Sequence, residues 1–219
     1  MSREVEKEPL AQTTAIKICG LNTREHISHV NALPADYIGF VFAKSKRQVT
    51  AEQVADLTRD LPLTTKLVGV FVNEEPDEIL RIAQVAGLDV LQLHGDETPA
   101  TCRELRERSG LQVWKAWSVH QDERDARLTE YGEVVDAILL DNARGGTGQK
   151  FSWDAIPTLR DYIGDLPLFV AGGLDPVNVG DLLAAHRPFG VDVSSGVETE
   201  GAKDAAKITA FVQKVRASQ

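Results

Sequence analysis

A thiol, a carboxylate and several clusters of very small residues stand where short apolar runs of this chain give way to polar segments. The run AIKIC ends in Cys19 and is followed by Gly20, and AILL leads directly into Asp141. An ionised thiol can take a proton from carbon near neutral pH, and a carboxyl kept partly from water can deliver one. Each residue also has an ordinary reading: a cysteine ending a buried strand packs as a small hydrophobe, and a carboxylate there caps a helix or fixes a loop. Lys17 on the same run, and the glycine beside it, are what single out Cys19. Cys102 falls inside an expected helix and reads as packing.

Three later junctions carry glycine: Gly146-Thr147-Gly148, then Gly172-Gly173, then Ser194-Ser195-Gly196. Glycine lets a backbone approach a ligand closely and turn its N–H groups inward, which suits a phosphate, although tight turns alone also use it. Three successive junctions of this kind favour phosphate. Arg47, beside Lys44, Ser45 and Lys46, either sits in solvent or offers a planar fork to a carboxylate. Gln92, His94 and Asp96 mark another junction. The chain has no His-x₃-His pair and no Cys/His cluster, so no metal is expected, and His94 reads as a hydrogen-bonding group at the rim. Neither a G-x-S-x-G elbow nor a P-loop is present.

The elements that must position these groups follow from periodicity. Apolar runs at 15–19, 37–42, 66–72, 89–93, 112–117, 135–140, 167–170 and 189–193 predict eight strands. Between them lie helices from Asn22 or Thr23 through His29, over 51–59, from Pro76, from Thr98-Pro99 to Ser109-Gly110, over 122–131 and from near Trp153. Asp175-Pro176 is expected to cap and open the next, and 203–216 the last. Each strand is apolar throughout, as in a parallel sheet covered on both sides. Eight strand–helix units in about 200 residues predict an α/β fold, a (βα)₈ TIM barrel with a closed parallel sheet. An open doubly wound sheet competes, but it places its glycine fingerprint after the first strand, and here the glycines come late. The expected organisation is a polar N-terminal tail, 1–14, and one barrel domain, 15–219. In a barrel, all the groups named above lie at the C-terminal ends of strands, the working face.

Of the 219 residues, 42% are hydrophobic, and Lys+Arg 24 against Asp+Glu 33 leaves a net charge of −9. That balance argues against nucleic acid, which requires a basic face, but not against a phosphorylated small molecule held by main-chain dipoles. Two cysteines give no disulfide framework, the N-terminus lacks an apolar signal core, and no apolar run reaches 18 residues. A cytoplasmic protein that does not enter a membrane is expected.

Together, KICG over 17–20, GFVFAKSKR over 39–47, VGVFVN over 68–73, LQLHGDE over 91–97, LLD ending at Asp141, GGTGQKFSW over 145–153, AGGLDPVNV over 171–179, DVSSGVE over 192–198 and the closing Gly201-x-Lys203-Asp204 resemble the phosphoribosylanthranilate isomerase family. AGGL and SSG occur in several phosphate-binding barrels; KICG, LQLHG and GGTG-x₂-F in combination are more specific. The resemblance implies an aldose–ketose isomerase of tryptophan biosynthesis that performs an Amadori rearrangement of N-(5-phosphoribosyl)anthranilate without cofactor, as a monomer or homodimer. It implies Asp141 as general acid on the ring oxygen and Cys19 as general base at sugar carbon 2. Arg47 is implied at the anthranilate carboxylate and the glycine loops at the phosphate, with Gln92, His94 and Ser194 among the substrate-binding residues. One departure is the three-residue spacer, 142–144, between Asp141 and Gly145, which is shorter than the family commonly has. The related histidine-pathway isomerase has Asp where this chain has Cys19, and indole-glycerol phosphate synthase needs an extended N-terminal segment. A phosphate-binding protein without activity would need neither Cys19 nor Asp141.

Overall fold

The computed structural model describes residues 13–119, 126–142 and 153–218. Eight parallel strands close into a barrel: β1 (Ala15–Cys19), β2 (Tyr37–Val41), β3 (Lys66–Phe71), β4 (Val90–Leu93), β5 (Gln112–Val119), β6 (Ala137–Asn142), β7 (Leu168–Val170) and β8 (Gly190–Val193). Closure is made by β1 on β8, with Lys17 opposite Asp192 and Ile18 opposite Val193. Around the barrel run α1 (Arg24–Asn31), α2 (Ala51–Thr58), α3 (Pro76–Ala86), α4 (Pro99–Ser109), α5 (Ala155–Ile163), α6 (Val179–His186) and α7 (Ala205–Ala217). The TIM barrel read from the sequence is therefore the fold.

Side chains alternate between two buried faces, which is why the strands read as unbroken apolar runs. Ile16, Ile18, Ile38, Phe40, Leu91, Leu93, Ile138 and Leu140 face the helices in the larger core. Val68, Val90, Trp114, Ala137, Leu139 and Phe169 belong to a separate inner cluster. At its floor Trp114 stacks on Phe169 with ring centroids 4.4 Å apart, and Tyr37 meets both edge-on. Above this apolar floor the inward positions turn polar: Cys19, Gln92, Asp141, Asp192 and Ser194 line the open end. The change of polarity along the inward positions creates the site.

Caps account for most helix starts. Thr23 accepts from the His26 N–H, Thr50 and Gln53 form a reciprocal capping box, and Thr98 accepts from Thr101. Three expected boundaries are corrected. In place of a helix over 122–131 there is a 3-10 turn, Ala126–Tyr131, with 120–125 outside the described residues. The expected helix at Asp175-Pro176 starts instead at Val179. Asp175 Oδ1 accepts from the Val177 and Asn178 N–H groups in a preceding turn, and Asn178 donates to the Gly173 carbonyl. The last helix starts at Ala205 because Ala202–Lys203 pairs with Glu198–Thr199 in a small hairpin (β9 and β10), leaving Asp204 to cap it through the Ala206 and Lys207 N–H groups. Of the expected tail, residues 1–12 lie outside the described residues, and Thr14 is buried.

Candidate active site

The C-terminal ends of the strands surround a cavity of about 360 Å³ lined by Cys19, Arg47, Gln92, His94, Asp141, Gly172, Gly173, Ser194, Ser195 and Gly196. Ten of the thirteen sequence-predicted site residues thus meet in one place. The other three, Gly146, Thr147 and Gly148, lie outside the described residues, as does Arg144.

Cys19 is buried at the inner end of this cavity. Its room is made by Gly39 on the adjacent strand, where a Cβ would stand 2.8 Å from the Cys19 Sγ. Burial pushes the thiol pKa up; Lys17 and Lys203 pull it down, and Asp192 adds to the rise. The net displacement is upward. Two residues before Cys19 on the same inward face, Lys17 is fully buried, and its Nζ lies 2.8 Å from Asp192 Oδ2.

Asp141 stands on β6, its side chain 17% exposed, with His94 Nε2 3.3 Å from its Oδ2. Gln92 Nε2 lies 3.1 Å from His94 Nδ1. The Gln92 amide thus holds the His94 ring on the side away from the carboxylate. His94, read from the sequence as a rim hydrogen-bonding group, is bonded to Gln92, stands beside the Asp141 carboxylate and lines the cavity as well.

Arg47 lines the cavity, but its Nε and Nη2 grip Glu198 at 2.6 and 2.9 Å. Lys203 donates to the same carboxylate at 3.1 Å and to the Ser194 carbonyl at 2.8 Å. Burial alone would raise the Glu198 pKa; Arg47 and Lys203 overcome that and bring it to about 2. A carboxylate depressed in the folded state stabilises it above the unfolded value of roughly 4.3 and loses that contribution as pH falls toward 2. The contribution is about 3 kcal/mol at most. Urea unfolding at pH 5 and pH 3 should show wild-type stability falling more steeply than that of Glu198→Gln; parallel losses would contradict this.

The loops after β7 and β8 meet beside these groups, with Lys203 bonded to Ser194 after β8. Gly172 and Gly173 have φ of +79° and +75°, values that suit glycine. A Cβ on Gly196 would overlap the Leu174 carbonyl oxygen, so the two loops touch backbone to backbone. Among the described residues, none of the Gly172, Gly173 and Gly196 N–H groups is spent on another backbone carbonyl. That arrangement can hold an anion through main-chain dipoles.

Sequence reasoning gave no role to Asp192, Glu198 or Lys203. The signal was present: a lysine in AIKIC and an aspartate in GVDV are each charges inside apolar strands, tolerable there only when paired. Pairing β1 with β8 brings them together.

The family model for N-(5'-phosphoribosyl)anthranilate (PRA) isomerase matches residues 16–214. N-(5'-phosphoribosyl)anthranilate isomerase of Brevibacillus brevis is 44% identical over 212 residues, covering 94% of this chain and 95% of that protein. The crystal structure of mutually generated monomers of the dimeric phosphoribosylanthranilate isomerase from Thermotoga maritima aligns with TM-score 0.82 and 40% identity, over 94% of this chain and all of that one. A phosphoribosyl anthranilate isomerase in complex with reduced 1-(o-carboxyphenylamino)-1-deoxyribulose 5-phosphate aligns with TM-score 0.82 and 38% identity over the same shares. With the fold, the cavity and these likenesses in agreement, the chain belongs to the N-(5'-phosphoribosyl)anthranilate isomerase family.

Proposed function

We propose that this protein converts N-(5-phosphoribosyl)anthranilate to 1-(2-carboxyphenylamino)-1-deoxyribulose 5-phosphate, a step of tryptophan biosynthesis, with Asp141 as acid and Cys19 as base. The observation that carries the reading is that a thiol on β1 and a carboxyl on β6 line one cavity whose wall includes glycine-rich backbone. Asp141 gives its proton to the furanose ring oxygen as the bond from that oxygen to carbon 1 breaks, and the nitrogen lone pair forms an iminium. The Cys19 thiolate then removes the proton from carbon 2, and the electrons of that C–H bond form the enolamine while the iminium charge is neutralised. A proton added at carbon 1 and one lost from the carbon 2 hydroxyl complete the ketone. The iminium matters for the thiolate: a positive charge beside the buried sulfur offsets the desolvation that raises its pKa. His94, held by Gln92, orients the Asp141 carboxyl. Backbone of Gly172, Gly173, Ser195 and Gly196, with Gly146, Thr147 and Gly148, receives the phosphate, and Ser194 joins the cavity wall. Anchoring both ends of the substrate fixes carbons 1 and 2 against the two catalytic groups.

Arg47 receives the anthranilate carboxylate. Its two bonds to Glu198 leave Nη1 available and hold the guanidinium plane fixed. Arg47→Ala is expected to raise KM about 10- to 100-fold, as for one lost charged hydrogen bond, with kcat changed by less than about threefold. A pure kcat defect would remove Arg47 from the anchoring role. Substrate fluorescence followed on adding purified protein tests the whole reading, since a protein that only binds would leave the substrate unconverted. Each barrel carries the residues named here, whether the protein acts as a monomer or a homodimer. No helix among the described residues is long and apolar enough to cross a membrane, and action in the cytoplasm is part of this reading.

A further inference from the structure

We propose that the buried Lys17–Asp192 pair is a positioning device for Cys19, in which Asp192 holds the Lys17 ammonium beneath the thiol so that its charge supports the thiolate needed for proton abstraction. The inference rests on Cys19 being the base. Lys17 and Cys19 are two residues apart on β1 and so share the inward face, and the register of β1 on β8 sets Asp192 directly opposite Lys17. Lys17 is fully buried and Asp192 nearly so, with 2.8 Å between Nζ and Oδ2. Asp192 Oδ1 is buried without a partner, so the hydrogen bonding of this carboxylate is directed at Lys17 alone among the described residues.

A stabilising role does not account for such a pair. Two charges taken from water lose most of their solvation, and an apolar pair of similar volume commonly serves a core as well. The pair instead sits where a charge has to appear. A buried sulfur packed against Gly39, in a cavity wall shared with Val41, ionises with difficulty, and the cation on its own strand is Lys17. The groups that act on the thiol charge are Lys17 on β1, Asp192 on β8 and Lys203 on β10; Glu198 and Arg47 lie beyond Lys203. Lys203 is already bound to Ser194 and Glu198, so its charge is largely answered. Asp192 opposes the thiolate by its own charge while fixing the lysine that favours it, so the two members act on Cys19 with opposite sign.

That opposition gives the test. The pH dependence of iodoacetamide alkylation at Cys19, read by mass spectrometry of its peptide, reports the thiolate; Cys102 is fully buried, with a thiol pushed up to about 12, and does not interfere. Relative to wild type, Asp192→Asn should move the Cys19 midpoint down. Lys17→Met/Asp192→Asn should move it up from that of Asp192→Asn by one pH unit or more, corresponding to a tenfold or greater change in thiolate fraction. The double variant leaves no unpaired buried charge and keeps the test available if Lys17→Met alone does not fold. In turnover the double variant should lose more than tenfold in kcat at pH 7, recover part of it at high pH, and keep KM within about threefold. Coincident midpoints in the three proteins, or a double-variant midpoint at or below that of Asp192→Asn, would overturn the proposal. Failure of the underlying reading looks different: Cys19→Ala with wild-type turnover removes Cys19 as the base, whereas an inactive Cys19→Ala with unmoved midpoints removes only the role of Lys17.

Discussion

Cys19→Ala is expected to lower kcat by well over 100-fold with KM within about threefold of wild type. Loss of one positioned proton acceptor costs 10²- to 10⁴-fold, and the substitution leaves the glycine loops and Arg47, the groups proposed to anchor the substrate, unchanged. Cys19→Ser separates chemistry from packing. A hydroxyl nearly fills the space beside Gly39, where a side chain would press on Sγ, yet it remains protonated at any pH the protein survives. Serine should therefore be as inactive as alanine. Wild-type turnover in either variant, measured by loss of substrate fluorescence, would remove Cys19 from the mechanism.

Asp141→Asn is expected to produce a loss of the same order, again with KM little changed. Asparagine keeps the size and shape of the aspartate beside His94, whose Nε2 lies 3.3 Å from Oδ2 in wild type, so the shape of the site is retained. What disappears is a dissociable proton for the ring oxygen, without which the carbon–oxygen bond must break to an unprotonated alkoxide. The two variants fail at successive steps: Asp141→Asn should accumulate the closed sugar, and Cys19→Ala should still open it. Borohydride trapping of an open iminium in Cys19→Ala but not in Asp141→Asn distinguishes the steps, and the reverse pattern would exchange the two roles.

Much of this site was legible before any coordinates. Eight apolar runs alternating with amphipathic segments favoured a closed parallel barrel over an open sheet, and the barrel assigned every strand end to one face, so Cys19, Asp141, Gly172, Gly173 and Gly196 were brought together by topology. The partners of those residues were not legible. Arg47 read as a free fork because its carboxylate, Glu198, lies 151 positions away in a hairpin whose two-residue strands are too short to show a period. The sequence showed a lysine two residues before Cys19 but not the state of the thiol; burial, which raises its pKa and dominates here, depends on what the other seven strands place around the sulfur. The start of α6 was misplaced because Asp175 closes its turn on Val177 and Asn178, a choice made by the contact of Asn178 with Gly173 after β7.

The aromatic floor has an optical consequence. Trp114 is 2% exposed and stacked on Phe169, whereas Trp117 lies under the Arg127 guanidinium at 5.5 Å nearer the rim. The two indoles therefore sample opposite levels of one molecule: emission from the first registers whether the eight strands remain joined in a ring, and emission from the second registers events at the opening. Single-tryptophan versions of the protein would let loosening at the mouth be timed separately from collapse of the scaffold beneath it.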